Sequence, residues 1–318
     1  MDKKILITGA TGFAGSHLVD LLLKSNDQIF GTFYSETSLS NLENKEKIKL
    51  LKTDLTKKDQ VKLLIEKVKP DYLYHLAALT APMSSFEDPS ETFINNVISE
   101  LNILEELRRN NLKKTKVLIA SSAEVYGNVS KENLPISENV PLNPTNPYAV
   151  SKIAQDFLGR QYFLSYGLSI IRVRPFNHIG PKQSPNFVVS SFAKKIVDIE
   201  KGRKDPVLNV GNLNAKRDFT DVRDVVKAYR MILDKGELGE VYNIGSGKSY
   251  KISEILNMLL SFSKTKIEIK VDKSLLRPID NPELVCDFKK ICKITGWKPE
   301  IALQTTLYDT LDYWRSIN

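Results

Sequence analysis

The chain has 318 residues, 42% hydrophobic and 26% charged, a globular composition with material for a large core, which argues against disorder. No apolar run approaches the ~20 residues of a membrane span, so no membrane partner is expected. The net charge of +8 raises nucleic-acid binding, but the basic residues are spread rather than gathered into a stripe. From Lys45 to Lys58 lysines alternate with acids and apolar residues, and the trio Lys113, Lys114 and Lys116 is short. No nucleic-acid partner is expected.

The opening run Lys4-Ile5-Leu6-Ile7-Thr8 enters a buried-strand pattern at once, which leaves no room for a signal peptide. Cys286 and Cys292 fit no zinc framework and read as reduced thiols of a cytoplasmic protein. His17 and His75 join no ligand cluster, so no metal is expected.

Runs rich in Val, Ile, Leu and Phe lie at 4–8, 28–33, 48–53, 71–76, 116–121 and 169–174. They lack strict alternation, as strands covered on both faces do. Helical patterns near 13–25, 57–67, 87–109 and 149–165 separate them. This alternation predicts an α/β fold, a Rossmann-type doubly wound parallel sheet. After Pro175 the segment 176–186 is rich in turn formers. Helices near 187–201, 221–234 and 251–262 and strands near 207–210, 241–244 and 266–271 then predict a smaller mixed α/β substrate-binding domain. The expected division is a dinucleotide-binding domain, 1–175 with a returning helix at about 221–236 capped by Thr220 or Asp221, and a substrate domain, 176–220 with 237–318. The two parts would share one cleft.

The first strand runs into Gly9-Ala10-Thr11-Gly12-Phe13-Ala14-Gly15 and then a helix. Glycines at this spacing allow a tight turn, close approach of backbone to a pyrophosphate, and close helix–strand packing. Following a strand and preceding a helix, they predict dinucleotide binding. The second strand ends Phe33-Tyr34-Ser35, with no acid before Glu36 and no arginine nearby. Without an acid to repel a 2′-phosphate, NADP(H) is slightly favoured over NAD(H). Asp54 and Leu55 would lie near the adenine. Leu76, Ala77 and Ala78 end the fourth strand with small residues that let the cofactor pass, and Pro175 ends the sixth.

Ser122 and Glu124 follow the fifth strand, on the carboxyl edge where such sheets bind ligands. Tyr148 and Lys152 stand one helical turn apart on one face. A phenol with a pKa near ~10 is a poor acid–base at neutral pH, and a neighbouring ammonium and a cationic nicotinamide ring would both lower it. A nearby serine hydroxyl can bond the substrate oxygen.

Together, Gly9-x-x-Gly12-x-x-Gly15, Ser122 and Tyr148-x-x-x-Lys152 resemble the extended short-chain dehydrogenases, the nucleotide-sugar epimerase/dehydratase group. The resemblance implies Tyr148 as acid–base, Lys152 as its tuner and holder of the nicotinamide ribose, and Ser122 on the sugar oxygen. It implies that Asn96 supports the active-site backbone. It also implies a homodimer through a four-helix bundle of the helices near 87–109 and 149–165. The runs from Arg174 to Pro181 and from Arg217 to Asp224, with Arg277-Pro278 and Thr295-Gly296-Trp297, look like the branch acting on GDP-linked sugars. By that resemblance Asn177, Lys194, Arg217 and Arg277 would hold the nucleotide diphosphate, with Val188 lining the substrate site. Arginines suit phosphates because their donors form a fixed fork.

The implied reaction is NAD(P)H-dependent reduction of the C4 ketone of a GDP-linked 6-deoxyhexose. Glu124 stands where the 4,6-dehydratases of the group carry a base, so a dehydratase is the rival, with a 4-epimerase behind it. Ser122 in place of the dehydratases' usual threonine favours the reductase. A non-catalytic NAD(P)-binding redox sensor is the alternative of another class, and the presence of both Tyr148 and Lys152 argues against it.

Overall fold

The structure, a computed structural model, describes residues 2–275 and 281–317. Seven parallel strands form the main sheet, in the order Val241–Ile244, Ile170–Pro175, Lys116–Ala120, Tyr72–His75, Lys4–Thr8, Gln28–Phe33 and Lys49–Lys52. In Lys4–Thr8, Ile5 and Ile7 point to one face and Leu6 to the other, and all three are fully buried. That is why the strand reads as a continuous apolar run rather than an alternating one.

Helices Phe13–Leu22 and Val222–Lys235 cover the first face with Leu18, Val19, Val225, Tyr229 and Ile232. Helices Lys58–Val68, Ser99–Arg109 and Pro147–Tyr166 cover the second, through Ile65, Leu104 and Tyr162. Asp221 rather than Thr220 caps the returning helix, accepting from the Arg223 amide. Chain order reverses between Lys4–Thr8 and Tyr72–His75, so a crevice opens at their carboxyl ends, where doubly wound sheets bind ligands.

One expectation needs correction. The strand Val241–Ile244, assigned from sequence to the smaller domain, instead forms the edge of the main sheet beside Ile170–Pro175. Asn243 fixes it there: its Oδ1 accepts from the Tyr126 hydroxyl (2.7 Å) and its Nδ2 donates to the Ile136 carbonyl (3.0 Å). The helix expected near 87–109 runs without interruption from Pro89 to Arg109, with a π-helical turn inside it. Pro82–Glu87 is a separate helix, Asp88 caps a new start at Pro89, and a π-helical turn at Ile94–Ile98 precedes Ser99–Arg109. Proline at the first helical position with an aspartate cap before it begins a helix rather than continuing one.

The second part is built around the strand Lys216–Asp221, which pairs with Asn177–Ile179, Ser249–Lys251 and Glu283–Leu284. A separate parallel pair joins Val207–Val210 to Glu268–Val271. Helices Val188–Glu200, Ile252–Ser261 and Leu303–Ile317 enclose its own core, centred on Phe192, Ile196, Leu256 and Leu311. No helix among the described residues is long and apolar enough to cross a membrane.

Candidate active site

The glycine loop sits at the reversal point. Gly9 has φ +68°, and a Cβ there would lie 2.9 Å from the Ala77 Cα, so the loops after the first and fourth strands touch. A Cβ on Gly15 would run into the Gly9 carbonyl oxygen and come within 3.0 Å of the Ala10 Cα. The Gly12 amide donates to the Gly9 carbonyl (3.0 Å), closing the turn ahead of the helix. Only glycine fits this path, and the helix N-terminus it builds suits a pyrophosphate. These residues fit a bound dinucleotide.

Around the loop, Thr11 Oγ1 bonds Ser38 Oγ (2.7 Å), and Asn41 donates to the Thr11 carbonyl (2.8 Å). Tyr34 is exposed at the end of the second strand, and Glu36 is paired with Lys52 at 3.2 Å. Phe13 stacks on His178, 5.7 Å between centroids and nearly parallel, which joins the glycine loop to the turn-rich segment. Asp54 accepts from the Thr56 amide and hydroxyl, while Leu55 packs into the core and its carbonyl accepts from Asn102 (3.0 Å).

Asn146 positions the reactive helix. Its Oδ1 accepts from the Ala149 amide (2.7 Å) and its Nδ2 donates to Glu124 (3.3 Å), while Pro147 occupies the first turn. Tyr148 follows, buried, with its amide donating to Ser85 Oγ (3.2 Å). Burial pushes the phenol above its ordinary range, the hydrogen bond with Ser122 pulls it down, and the Glu124 charge pushes it up again. Ser122 Oγ also accepts from the Glu124 amide (3.2 Å), so Ser122, Glu124 and Tyr148 form one cluster.

Lys152 donates to the Ala120 carbonyl (2.8 Å), and its Nζ lies 5.9 Å from the Tyr148 ring centroid. Burial is the largest influence on the phenol, and Lys152 is not among the groups resolved as acting on it. Burial lowers Lys152 itself to about 8, with the Glu100 carboxyl opposing the fall. Asn96 braces the region, bonding the Leu79 amide (2.8 Å), the Leu79 carbonyl (3.1 Å) and Ser151 Oγ (2.9 Å). Ser151 Oγ in turn donates to the Tyr148 carbonyl (2.7 Å).

The family model for GDP-mannose 4,6-dehydratase matches residues 6–310. The chain belongs to this family. It is 34% identical over 316 residues to the GDP-6-deoxy-D-mannose reductase of Pseudomonas aeruginosa, covering 99% of this chain and 98% of that one. It is 31% identical to a Vibrio cholerae GDP-mannose 4,6-dehydratase, covering 96% and 91%. Among solved structures, that Pseudomonas reductase complexed with NADPH superposes with a TM-score of 0.86, over 99% of both chains. The Thermus thermophilus UDP-glucose 4-epimerase complexed with NAD does so at 0.89, with 28% identity and 99% of both chains covered.

Against the GDP-mannose 4,6-dehydratase family's implied substrate site, the second part is unevenly placed. Asn177, exposed, pairs in register with Phe219, two residues from Arg217. Arg217 is buried and donates to the Lys216 and Asn281 carbonyls (2.8 and 2.7 Å), anchoring the chain beyond 280. Val188 opens its helix, partly exposed, and Lys194 is paired with Asp198 at 2.8 Å. Arg277 lies outside the described residues. Leu76, Ala77 and Ala78 are half-buried at the crevice, and Pro175 is buried at its strand end. Trp297 and Trp314 are core residues.

Sequence reasoning passed over Ser85, Asn146, Gln155 and Glu100, and weighed His75 only as a metal ligand. Asn146 before Pro147 is a readable cap signature. Glu100 interrupts the apolar stripe of Ile103, Leu104 and Leu107, which was the available sign of a buried charge.

Proposed function

We propose that this chain reduces the C4 ketone of GDP-4-keto-6-deoxy-mannose with NADPH, giving GDP-rhamnose or its C4 epimer. The observation that carries the reading is the buried Tyr148 hydroxyl hydrogen-bonded to Ser122, one helical turn before Lys152. A ketone oxygen held there accepts hydrogen bonds from Ser122 and Tyr148. As negative charge develops on it, Tyr148 gives up its proton to form the alcohol. The charged Lys152 stabilises the phenolate so formed and holds the nicotinamide ribose. The nicotinamide supplies the hydride when bound.

NADPH over NADH is favoured by the Ser35, Thr37 and Ser38 hydroxyls after the second strand and by the pairing of Glu36 with Lys52. Asn177, Lys194, Arg217 and Arg277 are assigned to the GDP diphosphate and Val188 to the sugar side. Asp54 and the Leu55 backbone are assigned to the adenine, and Thr11, Phe13, Ala14, Tyr34, Leu76, Ala77, Ala78 and Pro175 to the rest of the cofactor. The dehydratase reading has one observation in its favour, the closeness of Glu124 to Tyr148. Asn146 donates to one oxygen of that carboxylate (3.3 Å), and Glu124 by itself does not decide between the two reactions.

A homodimer is part of the proposal. Val150, Phe157 and Leu164 form an exposed stripe at seven-residue spacing on the Tyr148 helix, and Met83, Phe86, Phe93, Ile94 and Ile98 are exposed on its neighbours. Such apolar surface marks an interface, and a monomer by light scattering would contradict it. The two free thiols suit the cytoplasm. The test is proton NMR of GDP-4-keto-6-deoxy-mannose incubated with enzyme and NADPH. A new H4 signal is expected, with a lower KM for NADPH than for NADH; a ketone left unreduced would overturn the reading.

A further inference from the structure

The helix that carries Tyr148 and Lys152 is joined to the sheet by buried polar groups that the proposed reaction does not use. Asp156 stands one helical turn after Lys152 and two after Tyr148, on the same face of the helix Pro147–Tyr166. It is 0% exposed, and its partners Arg172 and Arg174, on the strand Ile170–Pro175, are buried with it. The two arginines alternate with Ile171 and Val173, which point to the opposite face of the sheet.

Asp156 accepts from Arg172 Nη1 at one oxygen (2.6 Å) and from Arg174 Nε at the other (2.8 Å). Arg174 Nη1 donates in turn to the Tyr126 hydroxyl (3.0 Å), and that hydroxyl donates to Asn243 Oδ1 (2.7 Å). Asn243 is itself fixed, its amide donating to Glu138 Oε1 (2.7 Å) and its Nδ2 to the Ile136 carbonyl (3.0 Å). Tyr126 is fully buried, with its ring stacked on Phe176 at 6.4 Å between centroids. It ends the turn Ala123–Tyr126, which Ser122 caps. An unbroken line of hydrogen bonds therefore runs from the helix of Tyr148 to the turn of Ser122.

Buried ion pairs add little net stability, because desolvation offsets most of the attraction, and apolar side chains of similar volume hold two elements together as well. What this array adds is direction. Guanidinium donors have fixed angles, and each oxygen of Asp156 serves one arginine, so a slide or rotation of the helix on its strand breaks a bond. A second tie joins the same helix to the end of the Ser122 strand, from Ser121 Oγ to the Lys152 carbonyl (3.1 Å). Two separate ties fix an orientation that one alone leaves free to pivot. Orientation matters here because the Tyr148 hydroxyl and Ser122 come from different elements, and a displacement of ~1 Å between reacting groups costs up to ~10²-fold in rate.

We propose that Arg174 and Tyr126 are positioning residues for the ketone reduction: the line from Asp156 through Arg174 to Tyr126 sets the Ser122 turn at its place against the Tyr148 hydroxyl. The proposal rests on the reductase reading for the roles of Ser122 and Tyr148.

Tyr126→Phe removes the hydroxyl and keeps the ring on Phe176. With GDP-4-keto-6-deoxy-mannose, kcat should fall at least about tenfold, while the KM for the sugar and NADPH affinity by fluorescence stay within about threefold. Added to Ser122→Ala, the same change should cost less than about twofold more, since the turn then has no hydroxyl to place. Full additivity of the two losses would overturn the proposal. Arg174→Lys keeps the charge but cannot bond Asp156 and Tyr126 from one fork, and it should repeat the pattern. Independently of turnover, amide hydrogen exchange read by mass spectrometry should quicken at Ser122–Gly127 in both variants and stay unchanged in the helix Phe13–Leu22. Exchange unchanged at the turn, or quickened equally in both segments, would overturn the proposal. Failure of both variants to fold would make the line purely structural and also overturn it. If wild type reduces no ketone, the reductase reading falls, and the exchange pattern still decides whether the line holds the turn.

Discussion

Replacing Tyr148 by Phe removes one oxygen from a ring that is 7% exposed and leaves the packing of the helix Pro147–Tyr166 unchanged. The lost group is the proton donor and the hydrogen-bond partner of Ser122. Ser122 keeps its bond from the Glu124 amide, so the fold should lose about 1 kcal/mol or less. Loss of a positioned acid should instead cost ~10²–10⁴-fold in kcat/KM, or ~2.7–5.5 kcal/mol of transition-state stabilisation. The two magnitudes separate a chemical role from a structural one. The assay is loss of NADPH absorbance with GDP-4-keto-6-deoxy-mannose, beside NADPH affinity from fluorescence and a melting curve. Affinity and melting should stay near wild type, because the Gly9–Gly15 turn is untouched. Retention of more than about a third of wild-type turnover would refute the assignment of Tyr148 as proton donor.

Gly15→Ala puts a methyl group against the Gly9 carbonyl oxygen. The turn must open, so NADPH affinity measured by fluorescence should fall at least about tenfold, and an unchanged affinity would mean that the cradle is not the phosphate site. Arg217→Ala frees the Asn281 carbonyl. It should raise the KM for the GDP-sugar far more than that for NADPH, and equal effects on both would place Arg217 outside the substrate site.

Local motifs were the legible part of the molecule. Gly9, Gly12 and Gly15 between a strand and a helix, and Tyr148 four before Lys152, are short-range patterns whose geometry follows from one turn or one helix. The parallel sheet was readable for the same reason, since burial on both faces gives runs such as Lys4–Thr8 their continuous apolar character. The edge strand Val241–Ile244 was misplaced because its partner, Ile170–Pro175, is distant in sequence, and its anchor Asn243 looks like any loop asparagine. The line of Asp156, Arg174 and Tyr126 joins a helix, a strand and a turn, so no single window contains it. The burial that raises the Tyr148 phenol was hidden as well. Spacing shows that an ammonium is near, but burial, the largest influence on the phenol, is a property of the assembled core.

The central claim, reduction of a GDP-linked ketone, is tested most directly by cofactor stoichiometry. A reductase consumes one reduced cofactor per sugar, whereas a 4,6-dehydratase ends each turnover with its cofactor unchanged. Purified enzyme given GDP-4-keto-6-deoxy-mannose should oxidise NADPH in proportion to the alcohol formed, and should leave GDP-mannose intact when no reductant is added. Conversion of GDP-mannose to a 4-keto sugar with no net change in cofactor would make Glu124 a working base and contradict the account.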